Sequence, residues 1–106
     1  MSDDNGTDRA ALETPDGADV RILEIVNKKG LHARASAKFC QTAERYDADV
    51  RVTRGHETVG GRSIMGLMML GAGIGTKITI ATTGNEASAA ADALEKLVSS
   101  GFGEED

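Results

Sequence analysis

Gly30-Leu31-His32-Ala33-Arg34-Ala35-Ser36-Ala37-Lys38-Phe39 is the stretch in which the chain changes its period. Just before it, Arg21-Ile22-Leu23-Glu24-Ile25-Val26 sets Leu23 and Ile25 on one face of a strand, and Asn27-Lys28-Lys29-Gly30 is the loop that follows. From Ala33 to about Arg45 good helix formers take over, with Ala35, Phe39, Cys40 and Ala43 turned toward a core. His32 therefore stands at a helix start, where unpaired backbone N–H groups and the positive end of the helix dipole face outward. An anion belongs at such a place. Arg34, two residues on, adds a planar cation suited to phosphate. Imidazole titrates near neutrality, at about 6.5, so a neutral ring is available as a nucleophile. A histidine in this setting points to a ring that itself carries phosphate. A lone histidine at a helix start is more commonly a solvated or capping residue, so the assignment leans on its neighbours.

Working outward, Asp49-Val50-Arg51-Val52-Thr53-Arg54 alternates apolar and charged residues, as a half-buried strand does. Gly55-His56 turns it into a short partner, Glu57-Thr58-Val59, which Gly60-Gly61 ends. Ser63 then opens a short helix over Ile64-Met65-Gly66-Leu67-Met68-Met69-Leu70. Gly71, Gly73 and Gly75 form a connector. They make no phosphate loop, since no Gly-Lys-Ser/Thr follows. Lys77-Ile78-Thr79-Ile80-Ala81-Thr82 is a strand. The last helix, about Glu86–Ser100, places Ala87, Ala90, Ala91, Leu94, Leu97 and Val98 at helical spacing. The order β-α-β-β-α-β-α predicts an α+β open-faced β-sandwich, a four-stranded antiparallel sheet with three helices on one face.

At 106 residues the chain holds one small domain. Its three aromatics are Phe39, Tyr46 and Phe102, so Ile, Leu, Val, Met and Ala must fill the core. No apolar run approaches membrane-spanning length. The acidic start Met1-Ser2-Asp3-Asp4 is neither a signal nor a transit peptide, and the single Cys40 has no internal disulfide partner. A cytoplasmic setting is expected, with Cys40 a small buried thiol. The net charge of −5 is divided unevenly. Residues 1–19 hold six acids against one base, and Glu104-Glu105-Asp106 adds three more acids. The body between them carries eleven bases against eight acids, and Lys28, Lys29, Arg34 and Lys38 all lie within six residues of His32. Such a patch suits phosphate or an acidic protein partner. The lack of aromatic stacking residues within it argues against single-stranded nucleic acid. The expected organisation is a disordered acidic tail over 1–18, a domain over 19–102 and an acidic end over 103–106. No metal site is expected, since His56 is a turn residue without ligand partners at useful spacing. No cofactor is expected.

The motif around His32, about thirty residues before Arg62-Ser63-Ile64-Met65 and in this order of elements, resembles HPr, the histidine phosphocarrier family of the bacterial phosphotransferase system. The likeness covers about residues 20–102. The ending Ser100-Gly101-Phe102-Gly103-Glu104-Glu105-Asp106 and the Leu67-Met68-Met69-Leu70 segment are most similar to the nitrogen-related branch, NPr, and to alphaproteobacterial phosphocarriers. The resemblance implies that His32 is phosphorylated on Nδ1 by phospho-Enzyme I and that Arg34 contacts the phosphate. A IIA-type protein then accepts the phosphoryl group. Ser63 matches a serine phosphorylated by HPr kinase/phosphorylase in lineages that possess one. Most members carry proline where this chain has Ala35. A first-turn proline fixes the backbone and lacks only an N–H that the helix does not use.

A carrier of this kind turns over nothing alone, acts as a monomer in transient complexes, and needs an open site that the next protein can reach. Ile64, Met65 and Met68 are candidates for the apolar part of its contact surface, because flexible methionines suit several partners. Core filling is the competing role for Met65 and Met68, and Leu67 and Leu70 are assigned to the core. Ser63 also reads as the N-cap of its helix. Two other readings compete with the carrier. One is a regulatory binding module switched by Ser63 phosphorylation. The other is a small α+β domain for an unrelated ligand.

Overall fold

The computed structural model describes residues 17–104, so nearly all of the tail expected over 1–18 lies outside the described residues. Strand β1 (Asp19–Glu24), helix α1 (Ala33–Glu44), strands β2 (Asp49–Arg54) and β3 (Glu57–Gly60), helix α2 (Ile64–Met69), strand β4 (Lys77–Thr83) and helix α3 (Ala87–Ser99) follow in the predicted order. A 3-10 turn, Gly101–Gly103, closes the series. The four strands form one antiparallel sheet in the order β1-β4-β2-β3, with the helices on one face.

Alternation decides what each strand buries. Leu23 pairs with Ile78 and Val52 with Ile80, and all four side chains are buried under the helices. The intervening residues, Ile22, Thr79, Thr53 and Thr58, cross the opposite, open face in register. Phe39 of α1, Leu67 of α2, and Ala91, Leu94 and Val98 of α3 meet this sheet in one core. Ala35, Cys40 and Ala43 are buried as expected, and Ser36 joins them with its hydroxyl donating to the Leu31 carbonyl at 3.2 Å.

The first strand differs from its sequence reading by two residues at each end. Pairing with β4 begins at Asp19 opposite Thr82 and stops at Glu24 opposite Lys77. Ile25 keeps the apolar alternation and is fully buried, yet its hydrogen bonds go to the turn: its N–H donates to Thr76 at 2.8 Å, and its carbonyl accepts from Gly75 at 2.7 Å. Val26 is exposed. Across the covered face, Arg21 reaches from β1 to Asp92 at 2.6 Å and Glu95 at 2.8 Å on α3, and it also binds Asp19 at 2.9 Å. These contacts raise the Arg21 pKa and hold the Asp19 carboxyl below its usual range, chiefly through the hydrogen bond from Arg21.

Candidate phosphohistidine site at the start of the first helix

The loop before α1 is built to deliver His32. Gly30 has φ +64°, and an added Cβ would sit 2.3 Å from the Ala72 carbonyl oxygen. Only glycine satisfies both the left-handed backbone and that close approach. The Leu31 N–H donates to the same Ala72 carbonyl at 2.9 Å, and the buried Asn27 Nδ2 donates to the Gly30 carbonyl at 2.9 Å. Loop and neighbouring turn therefore lock together just ahead of the histidine.

His32 is the N-cap of α1, with extended backbone (φ −73°, ψ −178°). Its two ring nitrogens have opposite partners. The Arg34 backbone N–H donates to Nδ1 at 3.2 Å, while Nε2 faces the Glu104 carboxylate. A backbone N–H can only donate and an ionised carboxylate can only accept. The proton is thereby assigned to Nε2, and the lone pair to Nδ1. Nδ1 thus presents its lone pair at the helix start, where first-turn amides can receive an anion.

Around the ring lies an open hollow of about 730 Å³ lined by Lys29, His32, Ala33, Arg34, Lys38, Gly103 and Glu104. Three of the four expected cations thus converge there, and Lys28 is not among the lining residues. Lys38 Nζ is engaged, donating to the Phe102 carbonyl at 2.7 Å. Lys29, Arg34 and Lys38 give the hollow a positive charge that suits a phosphoryl group.

Glu104 is the residue that sequence reasoning missed, having been counted within an acidic end. Its Oε1 accepts from Asn27 Nδ2 at 3.1 Å, and its side chain is 14% exposed. The hydrogen bond from His32 holds its carboxyl below the usual carboxylate range, with Asn27 and the charge of Lys38 acting the same way. No local signal announces this contact, because it spans 72 positions of chain.

Ser63 caps α2 as the sequence suggested: its Oγ accepts from the Gly66 N–H at 2.9 Å. Arg62 beside it makes a contact that the sequence did not reveal. Its Nη2 donates to the carbonyls of Tyr46 at 3.0 Å and Ala48 at 2.9 Å, just past the end of α1. Leu67 and Leu70 are buried, whereas Ile64, Met65 and Met68 are exposed, and so is Met69. None of the α2 residues lines the hollow at His32. His56 lies exposed in the β2–β3 turn, and Cys40 is a buried free thiol whose pKa is raised by burial. Among the described residues, no group of three or more His, Cys, Asp or Glu side chains could hold a metal ion, and no helix is long and apolar enough to cross a membrane.

The chain is similar to known proteins over most of its length. The family model described as "PTS HPr component phosphorylation site" matches residues 20–100. A phosphocarrier protein HPr of Neisseria meningitidis is 51% identical over 82 residues, covering 77% of this chain and 92% of the relative. A phosphocarrier protein NPr of Shewanella violacea is 40% identical over 84 residues, covering 79% of this chain and 92% of the relative. Among solved structures, HPr-C-His from Thermoanaerobacter tengcongensis superposes with a TM-score of 0.79 at 39% identity, covering 83% of this chain and 99% of that one. This fold, matched over residues 20–100 by the family model and over most of its length by such relatives, makes the chain a member of the HPr family of phosphocarrier proteins of the phosphotransferase system.

Proposed function

We propose that His32 accepts a phosphoryl group on Nδ1 from phospho-Enzyme I and hands it to a IIA-type protein. The observation that carries this reading is the opposed hydrogen bonding of the ring, with a donor at Nδ1 and a carboxylate at Nε2. The Nδ1 lone pair attacks phosphorus in line while the N–P bond of the donor phosphohistidine breaks. The departing ring nitrogen keeps the electron pair, and the Nε2 proton of His32 stays in place. The Arg34 amide then turns from Nδ1 to a phosphate oxygen, and the guanidinium of Arg34 neutralises the group. Transfer to the next protein is the same displacement in reverse. The working unit runs through Glu104, two residues beyond the 19–102 domain expected from sequence.

Ile64, Met65 and Met68 form the apolar part of the partner surface in this reading, supported by their exposure on α2. Phosphorylation of Ser63 weakens that docking. The modified Oγ stays near the α2 amides, and its charge repels an acidic Enzyme I face. Incubation with phosphoenolpyruvate and Enzyme I tests the carrier: acid-labile, base-stable label should form and vanish in His32→Ala. No label on the wild-type chain would favour a regulatory binding module instead. Ser63→Asp should slow labelling of His32, and an unchanged rate would remove the regulatory role.

A further inference from the structure

We propose that Glu104 is a positioning residue that holds the Nε2 proton of His32 before and after phosphorylation, and so keeps the phosphoryl group transferable. The inference rests on the carrier reading above. In the free protein the ring has two fixed partners, the Arg34 amide and Glu104. Once Nδ1 bears phosphorus, the Arg34 amide no longer marks it as the bare nitrogen, and Glu104 remains the partner that fixes the ring.

The proton on Nε2 decides how the group leaves. When the N–P bond breaks, the electron pair returns to Nδ1. A ring that still bears Nε2–H departs as neutral imidazole. A ring that has lost that proton must depart as an imidazolide anion, a far poorer leaving group. Lys29, Arg34 and Lys38 line the hollow and favour loss of the proton, while Glu104 is the anion that opposes them.

The carboxylate is placed by dedicated structure. Phe102 is buried with φ +59°, between Gly101 at +66° and Gly103 at +72°. This left-handed turn folds the chain back over the start of α1. Lys38 ties down the Phe102 carbonyl, and Asn27 holds Oε1 of Glu104. A residue of no consequence to the ring would not need a strained aromatic anchor two positions before it.

The experiment follows hydrolysis of phospho-His32 against pH in the wild type, Glu104→Gln and Glu104→Ala, together with ¹⁵N shifts of the unphosphorylated ring. Glutamine can still accept a hydrogen bond from Nε2 but lacks the charge. We expect the midpoint at which hydrolysis slows to fall by about one pH unit or more in both variants. Glu104→Ala should also replace the single Nε2–H tautomer by a mixture. Variants that keep the wild-type midpoint overturn the proposal. A wild-type chain that takes no label overturns the carrier reading instead. In that case the tautomer measurement decides Glu104 alone, and an unmixed ring in Glu104→Ala rejects it.

Discussion

His32 and Ser63 are both helix caps, but only one of them could be read fully from its neighbourhood. Ser63 precedes a short apolar run, and its Oγ bonds the amide three residues on, as local sequence implies. Ser63→Ala should therefore cost about 1 kcal/mol, read as a lower urea midpoint with unchanged slope; no change in midpoint would deny the cap. His32 was legible as a helix start, and the choice of Nδ1 was implied only by the resemblance; the contact of Nε2 with Glu104 is one that only folding brings near. Cys40 gives a second test at this scale. It is buried, and desolvation raises its pKa. A thiol reagent should leave the native protein untouched and titrate one thiol in denaturant. Rapid native labelling would contradict the packing of α1 against the sheet.

At the scale of elements, periodicity found α1, α3, β2 and β4, because each buries one face and exposes the other, while α2 was read from its serine start and the 3-10 turn Gly101–Gly103 was not expected. Periodicity misjudged β1, where apolar alternation runs past the point at which pairing with β4 ends. Strand order was not legible either, since β1 reaches β4 across most of the chain and no local pattern records that. The loop between β1 and α1 shows how an element is aimed. Gly30 combines a left-handed backbone with a Cβ position 2.3 Å from the Ala72 oxygen. Gly30→Ala must strain φ and push the two loops apart, for an expected cost of about 2–4 kcal/mol. Chemical denaturation measures the loss. The His32 ring shifts should move with it, because Leu31 and His32 hang from this turn. A variant as stable as wild type would mean that the loops can separate freely.

Across the whole molecule, two carboxylates report on how distant parts are joined. Asp19 holds its β1 neighbour Arg21, which reaches α3, and itself accepts from Ser88 Oγ of α3 at 3.2 Å, while Glu104 links the C-terminal turn to the start of α1. Both pKa values are lowered in the folded state, by hydrogen bonds from Arg21 and from His32 respectively. A lowered carboxyl pKa means that the unfolded chain binds the proton more readily. The stability these groups confer is fully present above the ordinary carboxylate values of about 4. It is lost as pH falls through the lower folded values. Unfolding free energy should therefore decline as pH drops below about 4. Asp19→Asn and Glu104→Gln should each flatten part of that decline, and the double variant should flatten more than either, since the two sites share no partner. Urea titrations at successive acidic pH values would show this. A double variant with the wild-type slope would mean that acid unfolds the protein through other carboxylates, and that the two junctions are not where its ends are fastened.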